Sequence, residues 1–475
     1  MNSPLPSLSA LLVVTREGAK FKREIKELPY TIGRSNENAL TLEDDRASRR
    51  HAEITCGELG WRIEDKKSTA GTLLNGEKVI NAPLRHGDKI RIGSHLILFA
   101  FDLSTFERQP LGIKLALRMV ELKASDAVLR HGQPPRLMVR RAYHTCPGLE
   151  APLTDSDIAG VIATLTGGKV DPSKGHTTAV ADTLLNERFR LHAYAQQGHT
   201  SLIIRHIRSR VPVLADLNLP EAATRLAQLR SGLVILGGAP NSGKTTTIAA
   251  LLETINRERQ ARIVTLEDPV EFRFTEKLAV IDQIEVGTDV PTFEEARRSL
   301  VRQNPEVVFI GELRDAETLD TALQSAAAGQ LVFATLHTVN ASQVIPRVLQ
   351  LSGEKDAERR LRNLSAHLKA IFCQKLLPAA DKSHPVVVAA EYIFIDPGSR
   401  ALVERGDDAS LADYLRGRPE IAQDFNRGLQ ILMEEGKISR ETAVEHSPNP
   451  EQLHMNLMGI ELNEDNKIIR GREKS

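Results

Sequence analysis

The segment Gly238-Ala-Pro-Asn-Ser-Gly-Lys-Thr245 stands between an apolar run and a helical stretch that begins at Thr245. Its residues match the pattern GxxxxGK followed by Ser or Thr, and a strand before the loop and a helix after it are the setting that this pattern requires. Backbone N–H groups of such a loop and the positive end of the helix can surround phosphate groups, while Lys244 reaches the β and γ oxygens and Thr245 binds Mg²⁺. The alternative is an ordinary glycine-rich turn that caps a helix. The candidate nucleotide-binding residues are Gly238, Ala239, Pro240, Asn241, Ser242, Gly243, Lys244, Thr245 and Thr246.

Apolar runs and helical patterns alternate around this loop. The predicted strands are Gly232–Leu236, Ala261–Leu266, Glu306–Ile310 and Leu331–Thr335. The predicted helices are Thr245–Glu258, Phe293–Gln303 and Thr318–Ala328, and helical patterns continue in Ala357–Lys375 and Asp413–Glu445. Such alternation is typical of a parallel sheet covered by helices.

Acidic residues follow two of these strands. Glu267-Asp-Pro-Val-Glu271 comes after the second predicted strand, and Glu312-Leu-Arg-Asp315 comes after the third. Because ligands bind at the carboxyl ends of parallel strands, these carboxylates are placed to orient or deprotonate a water and to hold Mg²⁺ through water. His337, after the next strand, is a candidate phosphate sensor or proton handler. Solvated acidic turns and a structural histidine are the alternatives.

The composition limits the class of protein. With 475 residues the chain has room for roughly two to four domains, and its 41% hydrophobic and 26% charged residues are typical of folded globular proteins. Because Lys plus Arg (62) equals Asp plus Glu (62), the net positive field of a nucleic-acid binder is missing, and we expect no nucleic-acid partner. Three well-separated cysteines, apolar runs far shorter than about 20 residues and an N-terminus without a recognisable secretory signal favour a cytosolic protein.

The first half of the chain contains two further patterns. Short apolar alternations broken by turn residues such as Gly71 and Asn75-Gly76 predict an antiparallel β-sandwich. Its predicted strands are Leu11–Thr15, Tyr30–Ile32, His51–Thr55, Trp61–Glu64, Lys89–Ile92 and His95–Ala100. After it, an α+β module is predicted from the helices Leu111–Leu122 and Asp155–Leu165 and the strands Arg188–Tyr194 and Ser201–Ile207.

The order of Gly238–Thr245, Glu267–Glu271, Glu312 and the histidine box Gly329–Thr338 resembles the secretion and type IV pilus ATPases of the PilT/GspE type, relatives of the RecA-like motors. The resemblance implies ATP as substrate, Mg²⁺ held by Thr245 and through water by Glu312, and a homo-hexamer acting on the inner-membrane platform of a pilus or secretion machine. It also implies that Glu312, Glu271 and His337 are catalytic, with Glu312 as general base. Gln330 stands where the family usually has the first histidine of its box. The tetracysteine zinc motif of the type II secretion branch is absent, which favours the zinc-free, PilT-like branch.

Upstream, Ala124-Ser-Asp126 and Gly132-Gln-Pro-Pro135 resemble the opening of that family's PAS-like N-terminal domain. By the same resemblance, Arg190 and Arg205 face the nucleotide. Two more arginines at family positions, Arg298 and Arg302, are candidates to complete the site, with a solvated basic helix face as the alternative.

Near the N-terminus, Gly33-Arg-Ser35, Ser48-Arg-Arg-His51, Ser68-Thr-Ala-Gly-Thr72 and Asn75-Gly76 resemble a forkhead-associated (FHA) domain, a phosphothreonine-peptide reader on a β-sandwich. The candidate phosphopeptide-binding residues are Arg34, Ser48, Arg49 and Thr69, and the resemblance gives His51 the role of stabilising the loop. Arginine suits this role because it pairs with phosphate bidentately. Ala70 replaces the asparagine that usually binds the peptide backbone, a loss of about 0.5–1.5 kcal/mol in binding. A sandwich used only for docking is the alternative.

These patterns predict three domains: an FHA-like β-sandwich at 1–103, an α+β PAS-like domain at 104–215, and an α/β RecA-like P-loop ATPase domain with a helical C-terminal part at 216–475. We expect a cytoplasmic ATPase, peripheral at the inner face of the inner membrane, that also binds a phosphothreonine-containing protein. The alternative is a phosphopeptide-binding scaffold that binds ATP with little turnover. A DNA-translocating motor is disfavoured by the neutral composition.

Overall fold

The computed structural model describes residues 10–16, 19–57, 60–101, 106, 109–139, 142–167, 177–182, 186–207, 211–352, 356–381, 386–458, 461–462 and 468–469. The chain divides into two compact units, Met1–Ser209 and Arg210–Ser475. None of the described helices combines the length and the apolar character needed to cross a membrane.

The first unit begins with a sandwich of two β-sheets. Its described strands are β1 (Ala10–Arg16), β2 (Ala19–Glu24), β3 (Tyr30–Gly33), β4 (Leu40–Thr41), β5 (Ala52–Gly57), β6 (Gly60–Asp65), β7 (Thr72–Leu74), β8 (Glu77–Val79), β9 (Asn81–Pro83), β10 (Lys89–Ile92) and β11 (His95–Phe101). They are ordered β2-β1-β11-β10-β7-β8 in one sheet and β4-β3-β5-β6-β9 in the other. Every second side chain of β11 is buried, because one face of the sheet meets the core, where Trp61 and Phe99 lie with ring centroids 5.6 Å apart. The predicted sandwich is confirmed.

The rest of the first unit is the predicted α+β module. Its described elements are α1 (Leu111–Glu121), β12 (Asp126–Leu129), β13 (Arg136–Val139), β14 (Ala142–Thr145), α2 (Asp155–Thr166), β15 (Thr177–Asp182), β16 (Arg188–Gln196) and β17 (His199–Ile207). The strands form an antiparallel sheet in the order β14-β13-β12-β17-β16-β15. Asn186 ties this module to the sandwich, since its side-chain amide donates 2.7 Å hydrogen bonds to the carbonyls of Trp61 and Leu84.

The second unit is built on a mostly parallel sheet. Its described strands are β18 (Gly232–Gly237), β19 (Arg262–Glu267), β20 (Val280–Glu285), β21 (Val307–Ile310), β22 (Leu331–Leu336), β23 (Leu368–Pro378), β24 (Val386–Phe394) and β25 (Ala422–Gln423), in the order β20-β19-β21-β22-β18-β23-β24-β25. The described helices are α3 (Ala222–Gln228), α4 (Lys244–Glu258), α5 (Phe293–Gln303), α6 (Ala316–Ala327), α7 (Val344–Ser352), α8 (Ala357–His367), α9 (Pro397–Arg405), α10 (Asp408–Arg416), α11 (Phe425–Glu434), α12 (Arg440–His446) and α13 (Pro450–Leu457). A 3-10 turn at Leu214–Leu217 precedes α3, and two short strands, β26 (Glu461–Leu462) and β27 (Ile468–Ile469), pair near the C-terminus.

The parallel register brings the functional loops to one edge of this sheet. Gly237 pairs with Leu336, and Ile310 pairs with both Leu266 and Ala334. The loops that follow β18, β19, β21 and β22 therefore start side by side. These loops carry the phosphate-loop motif, the two acidic segments and His337.

One prediction from the helical patterns was wrong. The stretch Ala357–Lys375 is not one helix, because α8 ends at His367 and β23 follows, running parallel to β18. The first residues of β23 form a nearly continuous buried apolar run, and a strand buried on both faces lacks the polar alternation that distinguishes it from a buried helix. The segment Asp413–Glu445 is helical in three separate pieces, within α10, α11 and α12.

Candidate functional site

The predicted phosphate loop follows β18 and leads into α4. Gly238 has φ +149, and a Cβ there would meet the Ser242 hydroxyl and would lie 2.7 Å from the carbonyl oxygen of Gln374. Gly243 has φ +89 at the start of α4, a conformation that glycine adopts without strain. The Gln374 side chain on β23 donates a 2.7 Å hydrogen bond to the carbonyl of Ser242, so the neighbouring strand holds the loop from beneath.

Lys244 lies inside this loop with only 7% of its surface exposed. Its ammonium donates to the carbonyls of Gly238 at 2.8 Å and Ala239 at 2.9 Å, and its Nζ lies 3.4 Å from Nδ1 of His337. Burial lowers the pKa of Lys244, although the nearby carboxylates of Glu312 and Glu271 oppose this effect. The ammonium is thus a desolvated donor held at the mouth of the loop by acceptors that a phosphate can replace.

The other predicted nucleotide-binding residues of the loop are more accessible. Ala239, Pro240 and Asn241 are exposed, and Thr245 and Thr246 are partly buried in the first turn of α4. This arrangement gives the loop an open face for a ligand and places the Thr245 hydroxyl at the start of the helix. Both features fit a bound nucleotide with a magnesium ion on its phosphates.

Glu312 and His337 meet at the same edge of the sheet. Nε2 of His337 lies 3.0 Å from Oε1 of Glu312, while its Nδ1 faces Lys244. A neutral imidazole protonated on Nε2 satisfies both contacts, because it donates to the carboxylate and accepts from the ammonium. The contacts from Glu312 through His337 to Lys244 therefore link the predicted general base to the lysine that is predicted to bind the phosphates.

Arg314 is a residue of this site that the sequence patterns did not assign. Its Nε donates to Oε2 of Glu312 at 2.8 Å, and a terminal nitrogen lies 3.0 Å from the carboxylate of Asp268. Both oxygens of Glu312 are thereby engaged, one by His337 and one by Arg314. The sequence shows Arg314 two residues after Glu312. Asp268, the other partner of Arg314, lies 46 residues earlier, near the end of the neighbouring strand.

The acidic segment at the end of β19 contains one buried and one exposed glutamate. Burial raises the pKa of Glu267 to about 7, against hydrogen bonds that favour its charged form, such as the 2.7 Å bond from the Thr265 hydroxyl. The backbone N–H of Glu271 lies 3.5 Å from the other oxygen of Glu267. Glu271 itself is exposed, and it is close enough to Lys244 to affect the pKa of that lysine. Of the two, Glu271 is the one that a bound nucleotide could reach.

A second buried glutamate supports the loop after β22. Glu391, on β24, accepts a 2.6 Å hydrogen bond from the N–H of Ala341 and a 3.3 Å bond from the N–H of Phe425. Burial raises the pKa of Glu391 to about 7. This carboxyl connects the segment beyond His337 to the start of α11.

The four candidate arginines lie in two separate parts of the chain. In the first unit, Arg190 and Arg205 are directly opposite each other on β16 and β17, and Nε of Arg205 donates to the Asp126 carboxylate at 2.9 Å. In the second unit, Arg298 and Arg302 are exposed on α5, and Arg298 pairs with Glu294 at 2.5 Å. The resemblance predicted that Arg190 and Arg205 both face the nucleotide, and the strand register shows that they are neighbours.

Gln330, the departure from the family pattern, lies away from the phosphate loop of its own unit. It precedes β22, and its carbonyl accepts a hydrogen bond from the N–H of Gly232 at the start of β18. Because His337 follows the opposite end of β22, about 20 Å separates the two along a strand that rises roughly 3.3 Å per residue. The glutamine therefore removes no side chain from the group formed by Lys244, Glu312 and His337.

In the sandwich, the candidate phosphopeptide residues gather at one end of the β3 and β5 strands. The backbone N–H of Arg34 donates to the Ser48 carbonyl at 2.9 Å, and the N–H of Thr69 donates to the Ser48 hydroxyl at 3.1 Å. The side chains of Arg34, Arg49 and Thr69 are exposed, and the Arg34 guanidinium pairs with Asp45 at 3.0 Å. The loops thus present a cation and hydroxyls to solvent within one small area.

His51 and Asp65 hold these loops from below. The fully buried His51 accepts from the N–H of Ser48 at Nδ1, 3.1 Å away, and its Nε2 lies 3.3 Å from the Gly71 carbonyl. Asp65 accepts hydrogen bonds from the Ser68 and Thr72 hydroxyls at 2.6 and 2.7 Å. Burial favours its neutral form, but these bonds outweigh that effect and lower the pKa of Asp65. The contacts of His51 agree with the loop-stabilising role that the sequence predicted for it.

The parallel sheet, its phosphate loop and the acidic and histidine side chains at its edge define the second unit as a P-loop ATPase domain. A model of the Type II/IV secretion system protein family matches residues 188–447, and a model of the FHA domain matches residues 30–93. The chain therefore belongs to the type II/IV secretion system protein family, a family of ATPases, and carries an FHA domain at its N-terminal end.

Two relatives that this chain matches over most of their own length are type IV pilus ATPases. The type IV pilus ATPase PilU of Pseudomonas aeruginosa is 31% identical over 347 residues, which cover 72% of this chain and 90% of PilU. The type IV pilus retraction ATPase PilT of the same organism is 34% identical over 267 residues, 56% of this chain and 77% of PilT. A crystal structure of the pilus retraction motor PilT with bound ADP matches 73% of this chain and 99% of that one, with a TM-score of 0.65 and 29% identity.

Proposed function

We propose that the protein is a Mg²⁺-dependent ATPase motor of a type IV pilus or a type II/IV secretion machine, recruited or regulated through its FHA domain. The observation that carries this proposal is the chain of contacts Glu312–His337–Lys244 at the mouth of the phosphate loop. A loop that only bound nucleotide would need the lysine but would have no need of a carboxylate and an imidazole linked to it.

Nucleotide binding would begin with an exchange of partners at Lys244. Its ammonium leaves the carbonyls of Gly238 and Ala239 for the β and γ oxygens, while loop N–H groups and the positive end of α4 surround the phosphates. Because Lys244 is already desolvated, its new bonds to phosphate form in a low-dielectric site, where charge interactions are strong.

The Thr245 hydroxyl, with Glu312 acting through water, would hold Mg²⁺ on the phosphates. When bound, this ion neutralises part of the charge on the β and γ oxygens. The hydroxyl at the first turn of α4 and the carboxylate of Glu312 are both oxygen donors, which is the ligand type that Mg²⁺ prefers.

Glu312 is the proposed general base. Its Oε1 is held by His337 and its Oε2 by Arg314, so its carboxylate is fixed in place and can accept a proton from a water directed at the γ-phosphate. His337, between Glu312 and Lys244, would transmit the presence of the γ-phosphate to the base. Glu271 is the second acidic candidate, close to Lys244 on the side of β19.

Arginines would supply the remaining positive charge that phosphoryl transfer needs. The candidates are Arg190 and Arg205 on the PAS-like domain and Arg298 and Arg302 on α5. In a homo-hexameric ring, neighbouring chains could share these arginines, so we expect a ring to hydrolyse ATP faster per site than a monomer does.

The FHA sandwich would bind a phosphothreonine-containing protein through Arg34, Ser48, Arg49 and Thr69. Phosphorylation of that partner would then bring the motor to its machine or control its activity. We place the motor on the cytoplasmic side, peripheral to the inner membrane, where the platform of a pilus or secretion machine would receive its movement. We expect no nucleic-acid partner.

The test compares ATP hydrolysis by the wild type and by Glu312→Gln, with the mass of each measured by light scattering in the same buffer with ATP and Mg²⁺. Loss of the general base should lower turnover by about 10²–10⁴-fold while ATP binding and assembly are retained. Equal rates per site for monomer and ring would contradict the shared arginines. Omission of Mg²⁺ should abolish turnover of the wild type.

The second candidate is a phosphopeptide-binding scaffold that binds ATP with little turnover. Ala70, at the place of a peptide-binding asparagine, and Gln330 are the residues that keep this candidate open, although Gln330 lies away from the loop. If wild type and Glu312→Gln both bind ATP and neither turns it over even as a ring, the scaffold replaces the motor.

A further inference from the structure

Three side chains on the α+β module of the first unit converge outside every site described above. They are His131, between β12 and β13, Asp155, the first residue of α2, and His199, the first residue of β17. Nδ1 of His131 lies 3.3 Å from Oδ2 of Asp155, and Nδ1 of His199 lies 2.8 Å from the same oxygen. The two imidazole rings stack with centroids 3.8 Å apart and an angle of 11° between their planes.

Hydrogen-bonded backbone presents these three groups. Residue His131 bridges to Leu153, and the next residue, Gly132, donates its N–H to the Leu153 carbonyl at 2.8 Å. Thr154 caps α2 immediately before Asp155, and the second oxygen of Asp155 accepts from the N–H of Thr200 at 3.3 Å. Three segments distant in sequence are therefore held together, two by main-chain contacts and the third by the hydrogen bond from Thr200 to the Asp155 carboxylate.

We propose that His131, Asp155 and His199 form a binding site for a divalent transition-metal ion of the zinc type. Two imidazole nitrogens and one carboxylate oxygen are a ligand set that Zn²⁺ and similar ions prefer, whereas Mg²⁺ prefers oxygen alone. One ligand atom from each side chain lies within 4.8 Å of the other two, a spacing that one ion can draw together because all three side chains are exposed. Among the residues that the structure describes, no other group of three or more His, Cys, Asp or Glu side chains has this spacing.

The surroundings leave room to complete the coordination shell. Both histidines line a cavity of about 450 Å³, together with Gln133, Tyr143 and Ser201. Three protein ligands leave at least one position of a zinc ion open, and a water from this cavity could fill it. The site lies on a domain that holds Arg190 and Arg205 on the adjoining strands, but its metal binding does not depend on the proposed motor function.

In the absence of metal, protons can take the place of the ion. Each imidazole can donate its Nδ1–H to the shared carboxylate oxygen. A neutral ring can bind a metal once its proton is on the other nitrogen, whereas a ring protonated on both nitrogens must first lose a proton. Metal affinity at this site should therefore fall as the pH is lowered. A cluster that serves only as a hydrogen-bonded contact would show no such competition, because it would bind no ion at either pH.

The experiment uses the full chain without an affinity tag, stripped with a chelator and free of nucleotide. Excess Mg²⁺ fills oxygen-only sites while Zn²⁺ is titrated by calorimetry at pH 7.5 and at a lower pH. We expect one Zn²⁺ per wild-type chain and at least tenfold weaker binding in His131→Ala, His199→Ala and Asp155→Asn. The matched control is His144→Ala, which removes an exposed histidine of the same domain and should leave the affinity unchanged.

Co²⁺ gives a second readout that does not depend on affinity alone. Bound to two nitrogens and one oxygen, it should show visible d–d absorption without the thiolate charge-transfer band that Cys56, Cys146 or Cys373 would produce. No binding by the wild type, a thiolate band, or equal affinity in the wild type and the three triad variants would each overturn the proposal. If His131→Ala does not fold, as judged by circular dichroism, His131→Gln replaces it in the same comparison.

Discussion

The two predicted phosphate sites of this chain hold their cations in opposite environments. At the phosphate loop the cation is Lys244, buried and held by backbone carbonyls, so that the ligand replaces acceptors already inside the protein. At the FHA loops the cation is Arg34, exposed and paired with Asp45 on the surface. The comparison shows one cation that is desolvated before any ligand binds and one that remains in water.

The carboxyl groups that support the two sites differ in the direction in which their pKa is shifted. Glu267 and Glu391 both accept hydrogen bonds that favour the charged form, but burial outweighs these bonds and raises the pKa of each to about 7. Burial also acts on Asp65 under the FHA loops, but the hydroxyls of Ser68 and Thr72 outweigh it and hold its pKa below the ordinary value of 3.8. Ionisation of Glu267 and Glu391 should therefore make the stability of the phosphate-loop unit depend on pH near neutrality.

The strongest test of this contrast removes each of the two cations in a separate variant. Lys244→Ala should lower ATP turnover by about 10²–10³-fold, because it removes a preorganised charged donor from a desolvated site. Arg34→Ala should weaken binding to immobilised phosphothreonine peptides of random flanking sequence by about 10- to 150-fold, the effect of one charge-assisted hydrogen bond of about 1.5–3 kcal/mol. Turnover and peptide capture are measured on both variants.

Each variant serves as the control for the other. Lys244→Ala should capture phosphopeptide as the wild type does, and Arg34→Ala should retain its basal ATP turnover. Capture that is equal for phosphorylated and unphosphorylated peptides would remove the recognition site from the comparison. Reduced peptide capture by Lys244→Ala would show that the two sites do not act independently.

The sequence predicted the parts of the phosphate-loop site that depend on strand ends. Glu312 and His337 each follow an apolar strand, and the carboxyl ends of neighbouring parallel strands must meet, so their contact could be expected. The clamp by Gln374 could not, because β23 is buried on both faces and its pattern resembled that of a helix. The partner of Arg314 also depends on which strands are neighbours, and that order is set by tertiary packing.

In the first unit, contacts between single residues far apart in the sequence again could not be predicted. The short FHA motifs identified Arg34, Ser48 and Thr69, and the structure brings them together as the motif order implies. Nothing in the sequence connected His131 with His199, because single histidines far apart have no periodicity to link them. Their meeting depends on β12 and β17 being adjacent in the sheet.

The second test uses pH to compare the buried carboxyls. Because the pKa of Glu391 is raised to about 7, its contribution to stability is present below the unfolded pKa of about 4.5 and is lost as the pH rises through 7. Between pH 5 and 8 the wild-type second unit should therefore lose about 2 kcal/mol relative to Glu391→Gln, which cannot ionise. Urea unfolding followed by circular dichroism measures this difference at each pH.

Asp157→Asn is the matched control in the first unit, because Asp157 accepts hydrogen bonds from the N–H and the hydroxyl of Thr154. The lowered pKa of Asp157 confers stability above about pH 4 that is lost only as the pH falls further, so the cost of Asp157→Asn should not change between pH 5 and 8. Trp61, the single tryptophan, reports the unfolding of the first unit by fluorescence. A pH dependence of Glu391→Gln as steep as that of the wild type would show that Glu391 does not titrate in this range, leaving Glu267 as the other carboxyl with a pKa near 7.

The smallest expected effect is a gain at the recognition site. Ala70 is exposed next to Thr69, where the family usually has an asparagine that binds the peptide backbone, so Ala70→Asn should restore one hydrogen bond and tighten phosphopeptide binding by about two- to twelvefold. Fluorescence anisotropy with one phosphothreonine peptide from the captured pool measures the change. Ala70→Asp is the matched control, because it has the same shape but offers no N–H donor and adds negative charge near the phosphate, and it should weaken binding. Equal affinities for all three proteins would mean that the peptide backbone does not pass Ala70, and that this sandwich reads phosphothreonine through Arg34 and its neighbours alone.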